Sequence, residues 1–196
     1  MTDKELLERE EMLEDILDAL EDKEYDEVED MADEAIESFP DEAFGYFYMG
    51  EALFLQYDYQ EAAYYFQHAV AKALNNSTYI ARLALVNAKL DENEKAQILY
   101  RKVLEINNEH LGSILALAVY ALNDGVYSEA ETLLNKAINI APDYAEAYQV
   151  RALLAQVQGN FQAALKDIDF LMQQSAANYA LLQQKITVLS ANNQPK

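Results

Sequence analysis

The sequence predicts an all-α fold: a solenoid of five 34-residue helix–turn–helix repeats with a C-terminal capping helix, about eleven helices in all. Three observations carry this. Residues 43–76 read as a single helical hairpin, with Tyr46, Met49, Gly50 and Leu53 at helical spacing, a break at Tyr57-Asp58, and Ala62, Phe66 and Ala69 on a second helix. The 34-residue unit recurs without insertion or deletion from residues 9, 43, 77, 111 and 145, with a further start at Tyr179. Five Gly and three Pro leave little room for loops. One hairpin cannot bury its apolar face alone, so such units stack on their neighbours.

The repeats take up the pattern in order. Thr2 followed by Glu5 predicts a capping box and a first helix from Asp3 to about Glu21, with Leu6, Met12, Leu13, Ile16, Leu17 and Leu20 as its stripe. Phe39-Pro40-Asp41 closes the first repeat, Pro stopping the helix and Asp41 placed to cap the next. Repeat 2 holds ten of the 21 aromatics. Repeat 3 starts after Asn75-Asn76 with Ser77 as its expected N-cap, and its turn Asp91-Glu92-Asn93 lacks glycine. Repeats 4 and 5 carry turn signals at Asn123-Asp124-Gly125, Pro142-Asp143 and Gly159-Asn160. Residues 179–190 form the cap helix, expected to bury Leu182, Ile186 and Leu189, and residues 191–196 are expected to be a disordered tail. A single domain over residues 1–192 is the expectation from the unbroken period.

Numbered within the unit, position 8 holds Ile16, Gly50, Ala84, Ala118 and Ala152; position 20 holds Val28, Ala62, Ala96, Ala130 and Ala164. Position 17 holds Tyr25, Tyr59, Asn93, Tyr127 and Phe161, and position 27 holds Ala35, Ala69, Val103, Ala137 and Leu171. This pattern resembles the tetratricopeptide repeat (TPR) family. Residues 111–144 match it through Leu117, Ala118, Gly125, Tyr127, Ala130, Ala137 and Pro142. The resemblance covers about nine tenths of the chain. It implies a right-handed superhelix and a protein-binding role, with no particular ligand attached. The first repeat departs at Ile16 and Ala32, which reads as an adapted end repeat.

Composition narrows the partners. The net charge is −21, and residues 1–42 alone carry 20 acidic and 3 basic side chains. Nucleic acid and anionic membrane surfaces are poor partners for such a chain, since both need a basic footprint. With no Cys, thiolate chemistry and thiolate metal ligation are absent. The acidic start MTDKELLEREE argues against a secretory signal, and the longest apolar run, Ile114 to Leu122, is too short to span a membrane. A cytoplasmic location is the expectation.

The residues predict neither an enzyme nor a cofactor or metal site. His68 and His110 have no nucleophile or acid partner in the pattern. Asp167-Ile168-Asp169 and Asp91-Glu92-Asn93-Glu94 lack the spacing of a calcium loop, and no glycine-rich phosphate loop occurs.

The informative surface is the stripe at positions 2, 5, 9, 12 and 13 of each first helix, which spacing places on one helical face. By the family resemblance this stripe lines a concave groove. Its occupants are apolar: Leu13, Leu17 and Leu20; Phe44, Phe47, Phe54 and Leu55 with Tyr48 beside them and Glu51 the exception; Leu85; then Leu115, Val119 and Leu122. Repeat 5 is more polar, with Glu146, Gln149 and Gln156 beside Leu153 and Val157. Core packing and an open groove are both compatible with such a stripe. Phe44, Phe47 and Phe54 are the expected aromatic hot spot if the groove is open, and core if it is not. Some family members clamp acidic C-terminal peptides with Lys, Asn and Arg at fixed positions; only Arg82 fits here, so that clamp is absent. The groove is expected to bind a hydrophobic or aromatic peptide segment or helix. The alternatives are a chaperone for an aggregation-prone client, similar to type III secretion chaperones, and a self-associating assembly component, hence a homo-oligomer.

Overall fold

The computed structural model describes residues 2–174 and 179–192. Among them are eleven α-helices and no strand: α1 (Asp3–Asp22), α2 (Tyr25–Ser38), α3 (Phe44–Leu55), α4 (Tyr59–Lys72), α5 (Ser77–Lys89), α6 (Asn93–Ile106), α7 (Leu111–Asn123), α8 (Tyr127–Ile140), α9 (Ala145–Val157), α10 (Phe161–Gln174) and α11 (Tyr179–Asn192). The chain divides into two compact units, residues 1–107 with α1–α6 and residues 108–196 with α7–α11. Within each unit successive helices pack as antiparallel-type hairpins stacked on their neighbours, and first helices of adjacent repeats also touch, α1 on α3 and α7 on α9.

Small side chains set the distance between the helices of a hairpin. A Cβ added at Gly50 would lie 2.8 Å from the Phe66 ring, so only glycine lets the α3 backbone rest on that phenylalanine. Positions 8 and 24 trade volume along the chain: Gly50 with Phe66, Ala84 with Tyr100, Ala118 with Leu134, Ala152 with Ile168. Repeat 1 inverts the order, Ile16 with Ala32, and both are fully buried. The departure read from the sequence as adaptation to a wet end is therefore a swap of large and small inside the core, which conserves volume.

The turns within hairpins repeat just as strictly. Position 15 has a left-handed backbone in all five repeats: Lys23, Tyr57, Asp91, Gly125 and Gly159, with φ between 60° and 75°. Two are glycines, for which this costs nothing; the other three accept about 1 kcal/mol of strain each. The glycine-free turn of repeat 3 thus has the same geometry as the others.

The helix starts differ from expectation in two places. The Thr2–Glu5 capping box forms as the sequence predicts, with Thr2 N–H donating to Glu5 at 2.6 Å and Glu5 N–H to Thr2 Oγ1 at 3.3 Å. Asp41, however, does not cap α3, whose N-cap is Ala43; Asp41 instead lies 3.6 Å from Lys72. Asn76, not Ser77, caps α5, its Oδ1 accepting from Thr78 and Tyr79 N–H. Asn76 lies one residue outside the helix with extended backbone, which is where a capping side chain can reach back.

At the other end, Ala191 and Asn192 belong to α11 rather than to a tail, and residues 193–196 lie outside those described. α11 buries Leu181 and Val188, while Leu182, Ile186 and Leu189, the expected inner face, are exposed. The helix is rotated by about one residue from expectation, about 100°. Among the described residues no helix is long and apolar enough to cross a membrane.

Candidate functional site

Repeat 2 does not present its phenylalanines to solvent. Phe44 is 4% and Phe47 8% exposed. Phe47 sits in a ring cluster, 5.2 Å from Tyr48, 5.8 Å from Phe66 and 4.5 Å from Tyr79 between ring centroids. Phe44 packs on Phe39 and lies beneath the Arg9 guanidinium, 5.2 Å from its ring centroid. The expected hot spot is core at these two residues. A phenylalanine at position 5 is long enough to reach the next first helix, and it finds Tyr79 of α5 there. Phe54 is half-buried against Tyr59, and Tyr48 is half-buried on Phe47.

On the same stripe of the N-terminal unit two leucines are exposed, while Leu7, Tyr57, Tyr64, Leu74 and Ile98 are exposed off it. Leu17 is 46% and Leu55 41% exposed, with Leu13, Leu20 and Leu85 half-buried. In the C-terminal unit Val119, Leu153 and Val157 are exposed, Leu115 is half-buried and Leu122 is buried.

Position 9 inverts the usual order of burial. Leu17, Val119 and Leu153 face solvent and Leu85 is half-buried, whereas its one charged residue, Glu51, is only 7% exposed. Glu51 Oε2 lies 2.8 Å from Arg82 Nη2, so the pair ties α3 to α5. Glu51 Oε1 is buried and, among the described residues, has no hydrogen-bond partner. Burial pushes the Glu51 carboxyl above the ordinary glutamate value, and the Arg82 charge offsets this only in part. Tyr48, one helical turn before Glu51, is shifted upward by burial and then by the nearby Tyr79 and Glu51. The sequence singles out Glu51 as an exception and Arg82 as an isolated match; the structure brings these two together.

A second arginine–carboxylate pair in the C-terminal unit escaped the sequence reading. Arg151 Nε donates to Asp167 Oδ2 at 2.8 Å and Nη2 to Oδ1 at 2.7 Å, while Nη1 donates to Asn135 Oδ1 at 2.8 Å. Its guanidinium lies 5.2 Å from the centroid of Tyr148, which stacks on Phe170 at 4.2 Å. A cavity of about 260 Å³ opens beside the pair, bordered by Glu131, Asn135, Gln158 and Lys166. The signal available in the sequence was Asp167 at position 23, a charge one residue from the apolar position 24.

Both histidines have local structural roles. His110 is the N-cap of α7, its Nδ1 accepting from Ser113 N–H at 3.1 Å and lying 2.9 Å from Ser113 Oγ. Burial lowers its pKa, which keeps Nδ1 available as an acceptor. His68 stacks on Tyr46 at 5.4 Å and meets the Tyr64 ring at a tilt, 4.5 Å between centroids. Among the described residues no group of three or more His, Asp or Glu is arranged to hold a metal ion.

Residues 20–183 match the middle TPR-like domain of cilia and flagella-associated protein 70. No curated protein matches the chain. Among solved structures, the chain is similar to a tetratricopeptide repeat protein from Parabacteroides merdae, with 20% identity and a TM-score of 0.79 over 93% of this chain and 73% of that one. It is also similar to YrrB, described as a TPR protein with an unusual peptide-binding site, at 19% identity and TM-score 0.70, covering 87% and 88%. PilW, a type IV pilus biogenesis factor, aligns at 13% identity and TM-score 0.80 over 99% of this chain and 89% of its own. At these identities the likeness is one of fold.

Proposed function

The chain belongs to the family of the cilia and flagella-associated protein 70 middle TPR-like domain, and on that premise we propose that it is a protein-binding module that holds an apolar segment of a partner polypeptide on its first-helix stripe. The observation that carries this reading is the exposure of Leu17 and Leu55 on the first-helix stripe, in a unit whose first 42 residues carry 20 acidic side chains. Aliphatic side chains recurring on one exposed stripe form the kind of patch that partners cover. Phe54 and Tyr48, half-buried, add aromatic contact area, while Phe44 and Phe47 act as the rigid floor beneath.

Selection of displayed random 12-residue peptides on the purified chain tests this. Enriched peptides should carry aromatic and aliphatic residues, and the double substitution Leu17→Ser/Leu55→Ser should weaken them. If each leucine loses about 40 Å² of covered apolar surface, the two together contribute about 2 kcal/mol, or about 30-fold in affinity. No enriched peptide, or enrichment indifferent to the double substitution, overturns the reading.

A second reading, self-association, is favoured by α11, which leaves Leu182, Ile186 and Leu189 exposed at helical spacing. Sedimentation at rising protein concentration separates the two: association abolished by Ile186→Glu assigns that face to a second copy, and a monomer at every concentration rejects it.

A further inference from the structure

We propose that Glu51 receives a cationic side chain: the bound segment carries a lysine or arginine among its apolar residues, and that side chain donates a hydrogen bond to Glu51 Oε1. This rests on the peptide-binding reading above and adds its chemistry. The first ground is the orphaned oxygen. A buried carboxylate oxygen without a donor is costly, and native proteins rarely keep one without a use for it. Oε2 is already held by Arg82 at 2.8 Å, so the unmet capacity is on Oε1 alone.

The second ground is the surroundings. Glu51 shares a helical face with Tyr48 and Phe54, one turn before and after it, and Tyr79 joins Tyr48 on the Phe47 ring. Aromatic faces beside a carboxylate suit a lysine or arginine, whose charge is attracted to the ring as well as to the oxygen. The unit already seats two cations in this manner, Arg9 over Phe44 and Lys72 over Tyr46. The third ground is charge: 20 acidic against 3 basic side chains in residues 1–42 attract a basic segment and repel an acidic one.

Oε1 is covered in the free protein, so the incoming group reaches it by displacing a neighbour. Arg82, on the other oxygen of the same carboxylate, has 40% of its side chain exposed and is the neighbour on the solvent side.

The test uses the enriched displayed peptides, synthesised with a fluorophore and titrated by anisotropy. Lysine or arginine should recur at one fixed place between apolar residues. Replacing it with norleucine should weaken binding to the natural chain about tenfold, and binding to Glu51→Gln by less than about twofold. Arg82→Gln, which leaves the carboxylate without its internal cation, should bind the lysine peptide more tightly and the norleucine peptide unchanged. Arg82→Gln also serves if Glu51→Gln folds poorly, which thermal melting reports. Apolar peptides enriched without a basic position overturn this inference and leave the module reading standing. An equal loss on norleucine substitution in both proteins, or weaker lysine binding by Arg82→Gln, places the cation elsewhere and also overturns it. No enrichment at all overturns both.

Discussion

Both units bury a carboxylate against an arginine, and the two pairs differ in how completely they are satisfied. Asp167 accepts two bonds from one guanidinium, in the planar fork geometry that only arginine offers, and the third arm of Arg151 reaches Asn135. That arrangement joins α8, α9 and α10 and leaves neither oxygen of Asp167 unmet. Glu51 accepts one contact from Arg82 across α3 and α5, and its second oxygen meets no donor among the described residues. A matched pair is part of the scaffold. A half-matched pair, on the stripe where neighbouring leucines face solvent, has capacity left for a ligand. Burial is common to both pairs; under the proposal above, the count of satisfied oxygens is what distinguishes them.

Several substitutions sharpen that contrast. Phe47→Ala has the largest expected effect, because the ring that floors the Glu51 region also contacts Phe66 and Tyr79; it should cost about 3–5 kcal/mol in chemical denaturation. A cost below about 1 kcal/mol would return Phe47 to the solvent-facing role its position in the pattern suggests. Asp167→Asn comes next, at about 2–3 kcal/mol. It removes a bidentate charge-assisted bond, and the partial exposure of Arg151 keeps the loss below that of a fully buried pair. Glu51→Gln should change stability by less than about 1 kcal/mol near neutral pH, since it loses one ion pair and relieves one desolvated charge. Equal costs for these two carboxylates would erase the distinction drawn between them.

The smallest effect is a pH dependence. Glu51 has its pKa raised in the folded chain, so the folded state holds this proton more tightly than the unfolded one. Its contribution to stability is present below the unfolded glutamate value and is lost as pH rises through the folded value. The difference in denaturation midpoint between the natural chain and Glu51→Gln should therefore move in favour of the glutamine variant as pH rises above about 4.5. A difference that stays flat, or moves the other way, would show that Arg82 outweighs burial.

What the sequence determined by itself was the repeat. A 34-residue period, with small residues at position 8 in four of the five repeats and turn residues near position 15, is a local and additive signal: each hairpin states its own helix lengths, and the five agree on them. The capping box of Thr2 and Glu5 was legible for the same reason, since its partners are three residues apart. What only the tertiary structure decided was which side of a stripe is covered. On α11, Leu181 and Val188 are seven residues apart, and Leu182, Ile186 and Leu189 are spaced by four and three; both sets suit a helix, and the packing of α10 selects the first. At Phe47 the ring length carries it into the adjacent repeat, against Tyr79, which helical spacing within repeat 2 cannot reveal. Glu51 was visible as a charge in an apolar row, yet its burial and its bond to Arg82 join residues 31 positions apart. Periodicity fixes the direction of a side chain about its own helix axis; whether water, a ring or an arginine waits there is decided by the neighbour that packs against it.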